Sequence, residues 1–238
     1  MNARSPCSML LAVLLLGTGL APSVHADDLK LPKIFRTVEP RFPLALGLSP
    51  LAQGEARVSI RIDAMGQLTD LLVTGYTSEE FANEAVAALR QWRFEPARRN
   101  GEPIDFRINL SFQFSAKRIV TLMPLETPDA LLRNAGVDPG VNLICSAGEI
   151  DHPLAVLRTV TPVHPGLSAA LPHGRAVLDF YVDGKGRARL PVVAETTHPA
   201  FADAALRALA DWQFSVPTHQ GHPVIVRMQQ EFIFTNGS

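Results

Sequence analysis

Length, composition and charge narrow the classes of protein that this chain can belong to. Its 238 residues are 47% hydrophobic and 19% charged, which suffices for a buried core and fits one or two domains. The formal net charge is −1. Proteins whose main partner is a nucleic acid or an anionic membrane surface carry an excess of Lys and Arg. We therefore expect no nucleic-acid partner.

The first 26 residues have the pattern of a secretory signal peptide. Arg4 supplies the positive end, Met9–Leu16 the apolar run, and Val24–Ala26 a small-residue cleavage site before Asp27. The apolar run ends near Ala21 and is shorter than the roughly 20 residues of a membrane-spanning helix. We expect cleavage and export. The alternative is an uncleaved segment that anchors the protein in the inner membrane.

The sequence contains two cysteines. Cys7 would leave with the signal peptide, so the mature protein would keep Cys145 alone and could form no internal disulfide. A lone cysteine in an exported protein is a reactive thiol, an intermolecular bridge or, most often, a small buried hydrophobe. We expect the last of these for Cys145.

One helical pattern occurs twice and organises the rest of the sequence. Residues 81–94 read FANEAVAALRQWRF and align without a gap with FADAALRALADWQF at residues 201–214. Large apolar side chains recur at intervals of three and four, which predicts one buried stripe on each helix. Aromatic side chains on such a stripe usually belong to the core and not to a cofactor site. The residues given this structural role are Phe81, Leu89, Trp92, Phe94, Phe201, Leu209, Trp212 and Phe214.

Two strands precede each helix. Gly54–Leu68 and Gly174–Ala188 alternate apolar and polar residues up to an Asp-to-Gly turn, and Leu68–Thr74 and Ala188–Ala194 form the returning strands. Pro191 lacks the N–H group that a central strand needs, so its strand should lie at a sheet edge.

The starts of both helices are marked by threonines. Thr77 and Thr197 are the predicted caps, because a hydroxyl can accept a hydrogen bond from a free N–H group of the first turn. Thr77 has Glu80 three residues later, as in a capping box, and Pro199 falls in the first turn of the second helix.

A last strand follows each helix. Turns at Asn100–Gly101 and Gln220–Gly221 lead into Ile104–Phe114 and Val224–Phe234, where apolar and polar residues alternate. These elements predict an α+β fold of two tandem strand-strand-helix-strand units, each a three-stranded antiparallel sheet with a helix packed on one face.

The repeat sets the expected domain boundaries. After the signal peptide at residues 1–26, we predict domains at 27–114 and 158–238. Residues 115–157 should form a folded connector with one short helix, which Thr127 caps and Gly136 ends. Val141–Ile144 can add a short strand.

With these motifs, each copy resembles the C-terminal domain of TonB, the periplasmic energy transducer of Gram-negative bacteria. The resemblance rests on Pro40, Phe42 and Pro43, on the GEARVSIRID strand and its turn, and on the WRFEPA block at residues 92–97. The second copy is more divergent, since His164 stands in place of the aromatic residue and Gln213 in place of the arginine of that block.

The resemblance implies a non-enzymatic interaction domain that binds an extended peptide by strand addition to its last strand. The implied partner is a protein or peptide of the envelope, such as a TonB-dependent outer-membrane receptor. Polar side chains of the edge could give selectivity. The residues carried over to these edges are Ile104, Asp105, Phe106, Arg107, Ile108, Asn109, Leu110, Val224, Val226, Arg227, Met228 and Gln229.

Three functional readings remain open from the sequence. The first is a periplasmic interaction protein linked to TonB-type transport. The second is a membrane-anchored energy transducer that uses an uncleaved N-terminal segment, although no long Pro-rich spacer is visible. In the third, the two last strands pair with each other and close both edges, whereas open edges would allow self-association.

Signals for catalysis are weak. His219 and His222 flank a predicted turn and could share a metal, but two ligands make a poor site. Asp183–Gly186 is too short for a phosphate-binding loop and does not precede a helix. We therefore predict no catalytic residue, no metal and no cofactor.

Overall fold

A computed structural model describes residues 28–46, 53–115, 120–122, 141–165 and 173–235. Within these residues the protein is α+β, with mostly antiparallel strands and two α-helices, which confirms the predicted class. The division into tandem domains stays a prediction. The predicted signal peptide and the short connector helix lie outside the described residues.

We call the described residues up to 122 the first half. Its two longest strands and its helix follow one another as the alternating pattern predicts, and short strands flank them. Its elements are β1 (Leu29–Lys30), β2 (Lys33–Arg36), a 3₁₀ turn (Leu44–Leu46), β3 (Gln53–Ile62), β4 (Leu68–Tyr76), α1 (Glu79–Leu89), β5 (Arg93–Glu95), β6 (Ala97–Arg99), β7 (Glu102–Ile104), β8 (Phe106–Ser115) and β9 (Val120–Leu122).

We call residues 156–235 the second half. From here on, the connector means residues 141–155, which are part of the predicted connector at 115–157. The connector supplies two short strands, and the second half again has two long strands, a helix and a long last strand. The elements are β10 (Val141–Asn142), β11 (Ile144–Cys145), β12 (Val156–Arg158), β13 (Gly174–Val182), β14 (Ala188–Thr196), α2 (Pro199–Ala210), β15 (Gln213–Phe214), β16 (Thr218–His219), β17 (His222–Pro223) and β18 (Ile225–Phe234).

The two main sheets are larger than the predicted three strands. The first has the order β10-β4-β3-β8-β9 and the second the order β11-β18-β13-β14. The additional strands are short segments outside the repeat that pair with edges of the three long strands. They satisfy backbone N–H and C=O groups that the edge would otherwise expose. The short strand predicted at Val141–Ile144 is present as β10 and β11. Strand β9 has three residues, too few to show a periodic pattern, so the sequence did not reveal it.

Each helix covers one face of its sheet and closes a core. Phe81 and Phe201 are fully buried. Phe81 stacks on Phe114 of the last strand, and the ring of Phe201 packs at a tilt against that of Phe234. Leu89, Trp92, Phe94, Leu209 and Phe214 are also buried, and Trp212 is half-buried. The Nε1 atoms of Trp92 and Trp212 donate hydrogen bonds to the carbonyl oxygens of Val38 and Val160, at 2.8 and 3.0 Å.

The predicted helix caps are wrong by one residue. The caps are Ser78 and His198, whereas the hydroxyls of Thr77 and Thr197 accept hydrogen bonds from N–H groups of the first long strand of each half, at 2.9 and 3.0 Å. The threonines therefore attach the start of each helix to the sheet. Pro199 does occupy the first turn of α2, as predicted.

The two halves pack through the sheet faces that lie away from the helices. Leu72 from β4, Tyr181 from β13, Leu190 from β14 and Ile225 from β18 form a small buried apolar cluster there. Strand β14 lies at the edge of its sheet, as Pro191 predicts, and it contacts β3, β4 and β8 of the first half. This contact places the second half beside the last strand of the first.

Candidate peptide-binding edge

Strand β8 pairs with β3 along its whole length, so only its outer side can accept another strand. On that outer side, Ser111–Gln113 pair with β9. In the part of the chain that the structure describes, Phe106–Leu110 have no strand partner on the outer side. An open edge of five residues therefore remains, and its unpaired backbone groups can receive an extended peptide.

The structure corrects the role predicted for the residues just before this edge. Ile104 ends β7 and pairs with Ala97, so it is not part of the last strand. Asp105 links β7 to β8, forms an ion pair with Arg61, and accepts a hydrogen bond from the backbone N–H of Ala64 at 3.0 Å. A carboxylate held in this way stabilises the turn between the strands.

Arg107 has an intramolecular role that the sequence did not predict, and its part in selectivity stays a prediction. Its side chain is only 11% exposed, and its Nη2 atom lies 2.5 Å from Oδ1 of Asp179 in the second half. The same guanidinium donates to the carbonyl oxygen of Leu190 at 3.3 Å and lies 4.5 Å above the ring of Tyr181. Arg107 therefore joins the two halves.

The remaining side chains of the edge are divided between the core and solvent. Ile108 and Leu110 face the core beneath α1. Asn109 is exposed, although its Oδ1 accepts a hydrogen bond from the Ser59 hydroxyl at 2.6 Å. Within Phe106–Leu110, Asn109 is thus the residue with an exposed polar side chain.

In the second half, the start of the last strand is closed. Val224 precedes β18 and donates its N–H to the carbonyl oxygen of Pro217 at 2.9 Å. Val226 pairs with Cys145 of β11, in parallel orientation. The predicted open edge at Val224 and Val226 is therefore wrong, because Pro217 already accepts from Val224 and the connector already pairs with Val226.

Leu143 of the connector links the two sheets. Its N–H donates to the carbonyl oxygen of Thr74 in β4 at 3.0 Å, and its own carbonyl oxygen accepts from Ile225 in β18 at 2.6 Å. The connector thus adds a short strand to an edge of each main sheet, β10 beside β4 and β11 beside β18.

Beyond Val226, the outer side of β18 has no strand partner among the described residues. Met228 packs against the second core, and Gln229 is exposed. Arg227 binds Asp179 through Nε and Nη2, at 2.9 and 2.6 Å, and it is 63% exposed. Strands β8 and β18 pair with other strands and not with each other, so the third functional reading is wrong for the described residues.

Asp179 is the centre of charge between the halves. Burial tends to raise the pKa of this carboxyl group, but hydrogen bonds from Arg227 and Arg107 and the charge of both guanidinium groups outweigh it. The pKa of Asp179 therefore lies below its usual value, and the carboxylate is charged at neutral pH. A second ion pair, between Arg189 and Asp70, also crosses between the halves.

Sequence reasoning missed this contact between the halves. Asp179 and Arg107 occupy the polar positions of alternating strands, where solvent exposure is the usual expectation. Leu190 has a φ of 51° and is fully buried, although leucine rarely adopts positive φ. The one available signal was Pro191, which disrupts the regular strand just after Leu190.

The candidate metal ligands lie in a polar turn region. His219 pairs with His222 across β16 and β17, and its Nδ1 lies 2.5 Å from the carbonyl oxygen of Glu149. Within the described ranges, no group of three or more His, Cys, Asp and Glu side chains could hold a metal ion. Cys145 is half-buried, and burial together with nearby Glu149 and Asp151 raises the pKa of its thiol.

Among the helices that the structure describes, none is both long and apolar enough to cross a membrane.

Comparisons with known proteins give a family for part of the first half. Residues 51–116 match the family model described as the Gram-negative bacterial TonB protein C-terminal, which confirms the resemblance there. The matching solved structures include the solution NMR structure of the Pseudomonas aeruginosa TonB CTD, at 24% identity and a TM-score of 0.31. That alignment covers 40% of this chain and 95% of the other. A comparison with curated proteins finds no match.

Proposed function

From a TonB C-terminal family domain at residues 51–116 as the premise, we propose that this chain is a periplasmic interaction protein linked to TonB-type transport. It binds an extended peptide by strand addition and performs no catalysis. Domains of this family act in the Gram-negative envelope and interact with proteins such as outer-membrane receptors. The peptide is a segment of such an envelope protein.

The observation that carries the proposal is the open outer side of β8 at Phe106–Leu110. Five residues of edge can form several backbone hydrogen bonds with an added strand. Both Ile108 and Leu110 are anchored in the core, so the edge is held rigid before binding. A preorganised edge loses little conformational entropy when the partner binds.

Strand β18 offers a longer open stretch beyond Val226, so the two edges need a direct comparison. We assign the peptide to β8 because this strand lies within the residues that match the family. The repeat aligns Asn109 with Gln229, and both side chains are exposed. A crosslinking probe can therefore be placed at equivalent, exposed positions of the two edges.

The experiment places a photo-crosslinking amino acid at Asn109 or at Gln229 of the full chain in living Gram-negative cells. We expect crosslinks from Asn109 to a single short segment of an envelope protein, with few from Gln229. Crosslinks from Gln229 alone would overturn the assignment to β8. The absence of crosslinks from both positions would overturn strand addition.

The periplasmic location has its own test. Mass spectrometry of the purified protein should give an N-terminus at Asp27, because the signal peptide is removed. An intact N-terminus in washed inner membranes would instead support an anchored transducer.

A further inference from the structure

A groove of about 890 Å³ runs between the two halves, next to the proposed binding edge. One wall is formed by residues 102–107, which lead into β8. The opposite wall is formed by residues 191–196 of β14, by Thr197 and by the first turns of α2. Because β14 is an edge strand, two strand edges border the same groove.

The groove has the properties of a peptide site. Its volume lies within the range of about 300–1,000 Å³ that is typical of ligand pockets. Half-buried apolar side chains from both walls line it, including Ile104, Val193 and Leu206. A strand added to β8 would run into this groove and would place alternate side chains against these apolar groups.

The charged side chains of the groove indicate which charge a bound peptide would carry. Its arginines are already engaged: Arg107 by Asp179, Arg175 by Glu195 and Glu231, and Arg99 by another interaction. The arginines of the groove therefore do not favour an acidic peptide.

The acidic side chains of the groove differ in whether an arginine holds them in an ion pair. Asp105 is held by Arg61, and Glu195 by Arg175. Glu102 and Asp203 are exposed, one on each wall, and neither forms an ion pair or side-chain hydrogen bond within the described residues. The charge left for a partner is therefore negative.

We propose that the groove selects an extended peptide that carries a Lys or Arg between small apolar residues. The basic side chain lies between Glu102 and Asp203, while the peptide backbone pairs with β8. This inference rests on the proposed strand addition and specifies the peptide that it accepts. The second half thereby contributes a wall of the site.

The test uses two acetylated eight-residue peptides that alternate valine with threonine and differ only in a central lysine or glutamate. Binding to the full mature chain is measured by NMR titration at low salt. Each exposed ion pair contributes modestly, so two carboxylates together should favour the lysine peptide over the glutamate peptide by roughly tenfold. Salt should reduce this preference.

Variants show whether the two carboxylates cause the preference. The roughly tenfold preference for the lysine peptide should fall to about one in the double variant Glu102→Gln, Asp203→Asn, because this variant lacks both carboxylates. The control Glu79→Gln, Glu84→Gln changes the charge equally on α1, outside the groove, and should keep the preference. Equal binding of both peptides to the unmodified chain, or a preference that survives in the groove variant, would overturn the proposal.

A third peptide separates this inference from the proposed function. It is the lysine peptide with an N-methyl group on the backbone nitrogen of every valine and threonine, so that neither side of its backbone can donate hydrogen bonds to a strand edge. Loss of binding on N-methylation supports strand addition. If the N-methylated peptide binds as well as its parent and the charge preference is unchanged, the groove's selection of a basic peptide stands but strand addition is overturned. No binding by any peptide would overturn both proposals.

Discussion

The two halves of the chain share a scaffold but differ at their edges. In both, a phenylalanine of the helix packs against the last strand, a tryptophan is tied to a backbone carbonyl, and a threonine attaches the helix to the sheet. Among the described residues, the outer side of β8 is unpaired at its start and paired with β9 further on, whereas that of β18 is paired with β11 at its start. The residues that recur in both halves attach each helix to its sheet. Residues outside the repeat determine which part of β8 and of β18 is already paired.

The hairpins beside the two edges show the same contrast. At Asn100–Gly101 the hairpin is braced by the backbone of Asp28, whose N–H donates to Asn100 Oδ1 at 3.0 Å. At Gln220–Gly221 it is braced by a side chain, because the carboxylate of Asp151 accepts from both N–H groups at 2.8 and 2.9 Å. Different connections thus stabilise equivalent turns.

The largest expected effect tests the shared scaffold. Phe81→Ala and Phe201→Ala each remove a fully buried aromatic ring, and each should lower the free energy of unfolding of its half by about 3–5 kcal/mol. Urea unfolding followed by tryptophan fluorescence measures both. A large effect of one substitution and a negligible effect of the other would show that the two cores are not equivalent.

The second prediction concerns the contact between the halves. Arg107→Met leaves the buried Asp179 with one guanidinium partner and should cost about 3 kcal/mol. Arg227→Met removes a mostly exposed partner of the same carboxylate and should cost less than about 1 kcal/mol. Urea unfolding of the two variants gives the difference. Equal costs would mean that Arg107 does not hold the halves together.

The third prediction is the pH dependence of this contact. Because the pKa of Asp179 is lower in the folded protein, its stabilising contribution is complete above the unfolded pKa of about 3.9 and is lost as the pH falls through the lower folded value. Limited proteolysis between pH 3 and 7 should show easier cleavage between the halves only at the acidic end. In Asp179→Asn this part of the pH dependence should disappear, and an unchanged profile would contradict the assignment.

The smallest expected effect concerns the two hairpins. Asp151→Ala removes the acceptor for Gln220 and Gly221, so hydrogen exchange at these two amides should become faster. Asp28→Ala is the matched control, since the first hairpin uses the backbone of residue 28, and exchange at Asn100 should not change. Equal acceleration in both variants would remove the contrast between the hairpins.

The sequence allowed the α+β class and the resemblance of the first half to be predicted, because apolar periodicity at Phe81, Leu89 and Trp92 depends only on local structure. It did not reveal what covers an edge. Val120–Leu122 and Ile144–Cys145 pair through backbone groups, which every sequence has. The roles of Asp105 and Arg107 were also missed, because a charged residue on a polar face gives no sign of the partner it meets across the fold.

Hydrogen exchange at the two outer edges tests the central claim most directly. The measurement compares backbone amides of the full mature chain with and without a saturating amount of the peptide identified by crosslinking from Asn109. Strand addition to β8 predicts slower exchange at alternate amides of Phe106–Leu110 and no change at Arg227–Phe234. Slower exchange at Arg227–Phe234 alone, or at neither edge while the peptide is bound, would contradict it.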